Sequence, residues 1–265
     1  MRIPFAQIDA FADAPFAGNP AAVMPLAEWL DDAVLQSIAA ENNLSETAFL
    51  VPDAEGTADF ALRWFTPTNE VAMCGHATLA SGHFVLLSDG DRQQVRFSTR
   101  QAGVLEVARA DDGYRMSLPA WVPAPRPLPE VLDALGVSGA VETLWHEKHY
   151  AVVVLENEAA VRAVDPDFRA LARLGDWLVI VTAPGDLTDI VSRAFAPGEG
   201  IDEDPVTGSA HAVVVPFWAE RLGRDRLTAS QASARGGRLT AALEGDRVVL
   251  GGTCATVIEG TFFLP

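Results

Sequence analysis

The chain has 265 residues, of which 49% are hydrophobic, and a formal net charge of −17. This length allows one large domain or two of average size, and the apolar content excludes a largely disordered chain. The negative charge argues against a nucleic-acid partner or an anionic membrane surface. Residues 1–25 lack the pattern of a signal peptide, and no apolar run is long enough to cross a bilayer, so we expect a cytoplasmic protein.

The first half of the chain combines short strands with one amphipathic and one almost wholly apolar helix. The amphipathic helix is predicted over 31–41, where apolar residues follow a helical spacing. The apolar helix is predicted over 77–87, and a helix without a polar face is normally enclosed by its domain. Strands are predicted over 2–11, 21–26, 47–51, 60–65, 94–99, 104–108 and 114–118.

Five prolines between residues 119 and 129 indicate a semi-rigid linker, which we take as the boundary between domains 1–118 and 119–265. The second half then repeats the order of helices and strands seen in the first half. Helices are predicted over 130–135 and 166–174, and strands over 150–155, 177–182 and 190–195, with further short strands from 227 to the end.

Two stretches about 130 residues apart share one pattern. Each contains Phe-x-Pro, then acidic residues, a turn with glycine and an apolar helix; they begin at Phe65 and Phe195. We interpret this as an internal duplication that places two helix N-termini opposite each other, with a site between the halves. Helices are too few for a doubly wound fold, so we predict an α+β chain of two related domains, each a curved sheet around one central helix.

Each candidate residue near these helix starts has a structural and a chemical interpretation. Glu46 is either an ordinary exposed glutamate or an acid/base group in partly dry surroundings. His76 is expected to be neutral, because a helix N-terminus disfavours its charged form. Cys74 is either a small buried hydrophobe or a thiol whose pKa is lowered by the helix dipole. Asp204 belongs to a constrained turn, and Ser209 suits either a helix N-cap or a carboxylate ligand.

Several classes of site are not indicated. The two cysteines, Cys74 and Cys254, have no spacing typical of zinc or a disulfide framework. We found no metal-ligand spacing, no Gly-rich nucleotide fingerprint and no nucleophile elbow. The sequence therefore predicts neither a metal nor a cofactor.

Four motifs follow one another along the chain. They are F-A-G-N-P-A-A-V at 16–23, N-N-L-S-E-T-A-F at 42–49, L-R-W-F-T-P-T-N-E-V-A-M-C-G-H-A-T-L-A at 62–80 and E-D-P-V-T-G-S-A-H at 203–211. Together they resemble the PhzF-like isomerase family of phenazine biosynthesis. The resemblance implies a diaminopimelate-epimerase-like fold: two pseudo-symmetric domains, each a barrel-like, mostly antiparallel sheet wrapped around a central helix. It also implies a site in the cleft between the domains, a homodimer, and a last strand that returns to the first domain.

The resemblance also assigns roles to residues. It makes Glu46 the proton-shuttling group, assisted by His76 and Asp204, and implies a cofactor-independent shift of a proton on a small amino or hydroxy carboxylate. The carboxylate is expected at the helix starts, and Asn19 in the first motif is a further candidate for substrate binding. The residues that would bind substrate are Gly75, Gly208, Ser209 and Asn19.

Two alternatives stay open. Diaminopimelate epimerases and proline racemases resemble this fold but use one cysteine at each helix start; Cys74 matches the first, while Asp204-Pro205-Val206 stands where we expect the second. An amino-acid epimerase or racemase would therefore need Cys74 or Asp204 as a second base. A non-catalytic binding or scaffold protein is the alternative from another class, because fold does not imply function.

Overall fold

The computed structural model describes residues 1–264 and shows a sheet-rich α+β chain. In the first half, the predicted elements are present with bounds that differ by at most two residues. Asn43, in the left-handed conformation (φ 49°), ends the first helix. The elements are β1 (Arg2–Ala10), β2 (Asn19–Pro25), α1 (Asp32–Asn42), β3 (Glu46–Pro52), β4 (Phe60–Phe65), β5 (Glu70–Val71), α2 (Gly75–Ser88), β6 (Gln94–Thr99), β7 (Val104–Ala110) and β8 (Gly113–Pro119).

The second half departs further from the sequence-based expectation. One helix and three strands were not predicted, at 158–163 and at 124–125, 142–146 and 201–204. The helix has only six residues and begins where the Asn157 side chain accepts the Ala160 N–H, so it is too short to show a periodic pattern. The elements are β9 (Ala124–Pro125), α3 (Pro129–Leu135), β10 (Glu142–His146), β11 (Tyr150–Val154), α4 (Glu158–Ala163), α5 (Phe168–Ala172), β12 (Leu178–Pro184), β13 (Ile190–Ala196), β14 (Ile201–Asp204), α6 (Gly208–Leu222), β15 (Arg226–Gln231), β16 (Gly237–Glu244), β17 (Arg247–Gly252) and β18 (Cys254–Phe263).

The proline-rich segment at 119–129, predicted as a linker, contains a short strand. Ala124 and Pro125 form β9, which pairs antiparallel with β10. The Arg126 guanidinium also lies over the Trp145 ring, 4.6 Å from its centroid. Prolines are tolerated here because a short edge strand does not need every backbone donor.

The described chain divides into two compact units. The first comprises residues 1–117 and the chain from Gly251 onward, and the second comprises Leu118–Leu250. In the first unit, β1 pairs antiparallel with β18 and β2, β2 pairs parallel with β3, β3 antiparallel with β4, β4 parallel with β6, and β6 antiparallel with β7. Helix α2 contacts β1, β2, β3, β6 and β7 of this series, so the sheet curves around it.

The second unit repeats this order of pairing. Strands β10 and β11 are antiparallel, β11 and β12 parallel, β12 and β13 antiparallel, β13 and β15 parallel, and β15 and β16 antiparallel. Helix α6 contacts β11, β12, β15 and β16. The alternation of parallel and antiparallel pairs is therefore shared by the two units, as an internal duplication requires.

The same bidentate ion pair precedes the central helix of each unit. Arg63 on β4 donates to both oxygens of Glu70 at 2.8 and 2.7 Å, and Arg193 on β13 donates to both oxygens of Glu203 at 2.7 and 2.9 Å. Each guanidinium also lies over the phenylalanine ring two residues further on. Two parallel hydrogen bonds hold each guanidinium and its carboxylate in one orientation. The ion pair therefore fixes the path of the chain from the strand to the start of the central helix.

The two central helices are buried because their apolar residues point in all directions. Eleven residues of α2 and ten of α6, among residues 1–264, are buried. The helices are 14 and 15 residues long. Within the described chain, no helix is both long and apolar enough to cross a membrane.

Gly82 allows α2 to approach β7 closely. A Cβ atom at this position would overlap the Val107 side chain. We therefore expect Gly82→Ala to lower the free energy of unfolding by about 1–3 kcal/mol, although alanine favours helices. Urea denaturation measures this change. Gly90→Ala is the matched control, because a Cβ atom there meets open space; equal stability of the two variants would contradict this packing.

Candidate active site

A buried carboxylate and a buried imidazole meet at the start of α2. Glu46 is the first residue of β3, and His76 is the second residue of α2. Their side chains are 10% and 3% exposed, and Glu46 Oε2 lies 3.0 Å from His76 Nε2. Within residues 1–264, neither atom has a hydrogen-bond partner at suitable angles. The contact is therefore an ion pair at close range whose two polar atoms are not locked into a mutual hydrogen bond.

The other nitrogen of the His76 ring also has neighbours. The Asn19 amide nitrogen lies 3.0 Å from His76 Nδ1, and Cys74 Sγ lies 3.5 Å from the same nitrogen. Asn19 begins β2 and is fully buried, and Cys74 is the residue just before α2. Both ring nitrogens of His76 thus contact side chains, which fixes the orientation of the ring.

The structure contradicts the neutral state expected for His76, and for Cys74 it favours the buried hydrophobe over the thiol of lowered pKa. Burial lowers the pKa of His76, but Cys74 and Glu46 together raise it well above its ordinary value. We attribute the rise to the Glu46 carboxylate, because the Cys74 thiol is itself neutral near pH 7. Burial first, and Glu46 second, raise the pKa of Cys74 to about 11. A carboxylate at contact distance outweighs the helix dipole, which contributes only about 0.3–1 kcal/mol.

Glu46, Cys74 and His76 form a cluster that the sequence spacing did not indicate. One donor atom of each lies within 4.8 Å of the others. Carboxylate, thiol and imidazole are also types of metal ligand. However, His76 turns Nδ1 to the thiol and Nε2 to the carboxylate, whereas one ion would be bound through a single nitrogen. The arrangement suits transfer of protons better than coordination of one metal ion.

In the second unit, Asp204 lies in a network of polar side chains before α6. The Thr207 hydroxyl donates to the Asp204 carboxylate. Gln231 accepts the Thr207 N–H at 2.8 Å and donates to the Asp204 carbonyl at 2.6 Å. Asp204 and Gln231 are buried, at 8% and 1% exposure. Sequence reasoning missed Thr207 and Gln231, because nothing in the local pattern connects residues 24 positions apart.

Ser209 is not the N-cap of α6, which corrects one of its two interpretations. Thr207 is the N-cap, so Gly208 and Ser209 are the first two helical residues. They correspond to Gly75 and His76 at the start of α2. Ser209 forms a hydrogen bond with Tyr150, whose pKa burial raises to about 12.

The remaining histidines have other surroundings. His83 contacts the Tyr114 hydroxyl at 3.0 Å and the Thr256 hydroxyl at 2.9 Å, as expected for a satisfied core histidine. His211 is fully buried, which lowers its pKa to about 4. His146 stacks on an aromatic ring in the second unit, and His149 forms an exposed ion pair with an aspartate.

Comparisons with known proteins identify the family of this chain. The model of the phenazine biosynthesis-like protein family, PhzC-PhzF, matches residues 8–260. The chain belongs to this family. Its sequence is 48% identical over 266 residues to an uncharacterised isomerase of Pseudomonas aeruginosa, with 100% of both chains covered. It is also 44% identical to a phenazine biosynthesis PhzF family protein of Enterococcus faecalis, whose crystal structure matches at a TM-score of 0.91 over 100% of both chains.

A more distant structure shows the same fold. A predicted epimerase from Pseudomonas aeruginosa matches at a TM-score of 0.76 and 19% identity, covering 99% of this chain and 100% of that one. The resemblance to the PhzF family and the epimerase-like α+β fold are thereby confirmed. Membership of the family supports an isomerase- or epimerase-like activity.

The ion pair between Glu46 and His76 predicts that the pKa of His76 depends on the negative charge of Glu46. Replacing Glu46 by Gln removes the carboxylate that raises the pKa of His76, so this pKa should fall in the variant. NMR titration of the imidazole measures it, with His146, whose pKa burial lowers, as an internal reference. An unchanged His76 pKa would contradict the ion pair.

The same pair links stability to pH. A histidine whose pKa is raised by folding stabilises the native state fully below its unfolded pKa, and this contribution is lost as pH rises through the folded pKa. We expect the free energy of unfolding to fall across that window in the wild type and less steeply in Glu46→Gln. Urea denaturation at a series of pH values measures both slopes, and parallel slopes would contradict the linkage.

Proposed function

We propose that this protein is a cofactor-independent isomerase that moves a proton on a small amino or hydroxy carboxylate. Glu46 accepts the proton from an acidic C–H next to an unsaturated group, and the proton is returned at another carbon. The single observation that carries this proposal is the buried contact between Glu46 and His76 at the start of α2. Such a perturbed, paired set of titratable groups is typical of a functional site.

His76 lies directly beside the proposed acid/base group. Its raised pKa supplies a positive charge 3.0 Å from the Glu46 side chain. The ring is held from its other side by Asn19. Because Asn19 is fully buried against His76, we propose that it positions this ring instead of binding substrate.

The starts of the two central helices suit negative charge. Gly75 opens α2 and Gly208 opens α6, and the first turn of a helix offers backbone N–H groups and the positive end of its dipole. We propose that these N–H groups hold the substrate carboxylate and the charge that develops as the proton leaves. Asp204 and Ser209 would contact polar groups of the same substrate, as the resemblance implies.

Isomerisation explains the cluster better than racemisation does. A two-base racemase needs acid/base groups on opposite faces of one carbon, whereas Cys74 and Glu46 lie in one unit with donor atoms within 4.8 Å. The residue just before α6, which corresponds to Cys74 before α2, is Thr207 and not one of Asp204-Pro205-Val206 as expected. An alcohol is a far weaker acid than a thiol. The first unit thus contains both strong proton carriers.

Proton–deuterium exchange tests the role of Glu46. The wild type, Glu46→Gln and the control Glu41→Gln are incubated in D₂O with a panel of amino and hydroxy carboxylates, including a dihydro-hydroxyanthranilate, and followed by NMR. We expect exchange in at least one compound, and a loss of about 10²–10⁴-fold in Glu46→Gln, since general acid–base catalysis contributes that much. Glu41 is exposed, so its variant should match the wild type. Exchange that survives Glu46→Gln would refute the assignment.

The carboxylate-binding role of Ser209 makes a separate prediction. Ser209→Ala should raise KM roughly ten- to hundred-fold, the cost of losing one hydrogen bond to a charged group. Steady-state kinetics on the compound found by exchange measures it, with Ser233→Ala as the control hydroxyl in the same unit. An unchanged KM would remove Ser209 from substrate binding.

A further inference from the structure

His76 lies between two groups that can carry a proton. Its Nε2 faces Glu46 at 3.0 Å and its Nδ1 faces Cys74 at 3.5 Å. The three residues are all buried. The proposed function uses the carboxylate and the imidazole and leaves the thiol without a role.

The surroundings of Cys74 suit a thiol that releases and regains a proton. The group is neutral near pH 7, since burial raises its pKa to about 11. It therefore holds a proton that it can donate. The thiolate left behind would be favoured by the His76 ring and by the Ala77 N–H in the first turn of α2, both of which act to lower the pKa of Cys74.

We propose that Cys74 is the second catalytic residue of the isomerase: it returns a proton to the substrate and regains one from His76. This inference rests on the proposed function, because it assumes that Glu46 takes the first proton. Both groups lie in the same unit within 4.8 Å, so they would serve two carbons on one face of a small molecule.

The cycle balances without a co-reactant. A C–H bond breaks and an O–H bond forms on Glu46, while the electron pair moves into the conjugated system. The Cys74 S–H bond then breaks, a C–H bond forms at the second carbon, and the double bond shifts. The thiolate regains a proton from His76 Nδ1. After the product leaves, Glu46 releases its proton to water and His76 Nδ1 takes one up from water. Every group then ends in its starting state, and nothing is oxidised or reduced.

The two steps are separable by mutation. In D₂O, Cys74→Ala should keep deuterium entering the first carbon, because Glu46 is intact, but should lose at least about 90% of the isomerised product. Glu46→Gln should lose both. A merely structural defect would reduce exchange and isomerisation in parallel. Cys74→Ser, which keeps a weaker proton donor, should recover part of the product.

Cys254 provides the matched control. It is the other cysteine of the chain, lies in β18, and burial raises its pKa to about 12. Cys254→Ala should leave both exchange and isomerisation unchanged. Unchanged isomerisation in Cys74→Ala, with Glu46→Gln inactive, would overturn the role of Cys74 and leave the proposed function standing.

A measurement without substrate tests the coupling between His76 and Cys74 even if no compound in the panel reacts. The titration of Cys74 is followed by NMR of protein with ¹³C-labelled cysteine, and Cys254→Ala assigns the signal. Glu46→Gln should lower the midpoint of Cys74, because a negative charge is removed, and His76→Gln should raise it. A Cys74 midpoint that stays the same in both variants would overturn the proposed role of His76 in restoring the Cys74 thiol.

Discussion

The contact between Glu46 and His76 is the interaction on which the account of this site depends. Two ionisable groups are removed from water at the start of a buried helix, which costs several kcal/mol for each charge unless the charges compensate each other. The fold provides that compensation by bringing three elements together. Strand β3 supplies the carboxylate, α2 supplies the imidazole, and β2 supplies the Asn19 amide that fixes the ring.

The two units share one arrangement of strands and central helix but have different side chains at their helix starts. Both units alternate parallel and antiparallel pairs in the same order, and both place a bidentate Arg–Glu pair before the central helix. At the helix starts the first unit has Cys74 and His76, where the second has Thr207 and Ser209. Groups that change charge are thus concentrated in the first unit, and the second offers hydroxyls in an ordered network. The two units thus share backbone geometry and differ in the side chains at their helix starts.

Local patterns predicted the elements well and the contacts poorly. The apolar helices, the strand Phe60–Phe65 and the duplication are visible in the sequence because burial on all sides leaves a continuous signal. The partnership of Glu46 and His76 came from family resemblance, since 30 residues separate them and spacing alone does not indicate it. The charge of His76 was mispredicted because the helix dipole was visible and the nearby carboxylate was not. Thr207 and Gln231 were missed for the same reason: their contact depends on the tertiary pairing of β13 with β15.

The most direct test of the central claim is a double-mutant cycle on the rate of proton–deuterium exchange, with Glu46→Asp, His76→Gln and the double variant. Glu46→Asp keeps a carboxylate, so a rate remains measurable. If the two residues act as one unit, the loss in the double variant is much smaller than the product of the two single losses. Losses that multiply would show that Glu46 and His76 act independently, which would contradict the account.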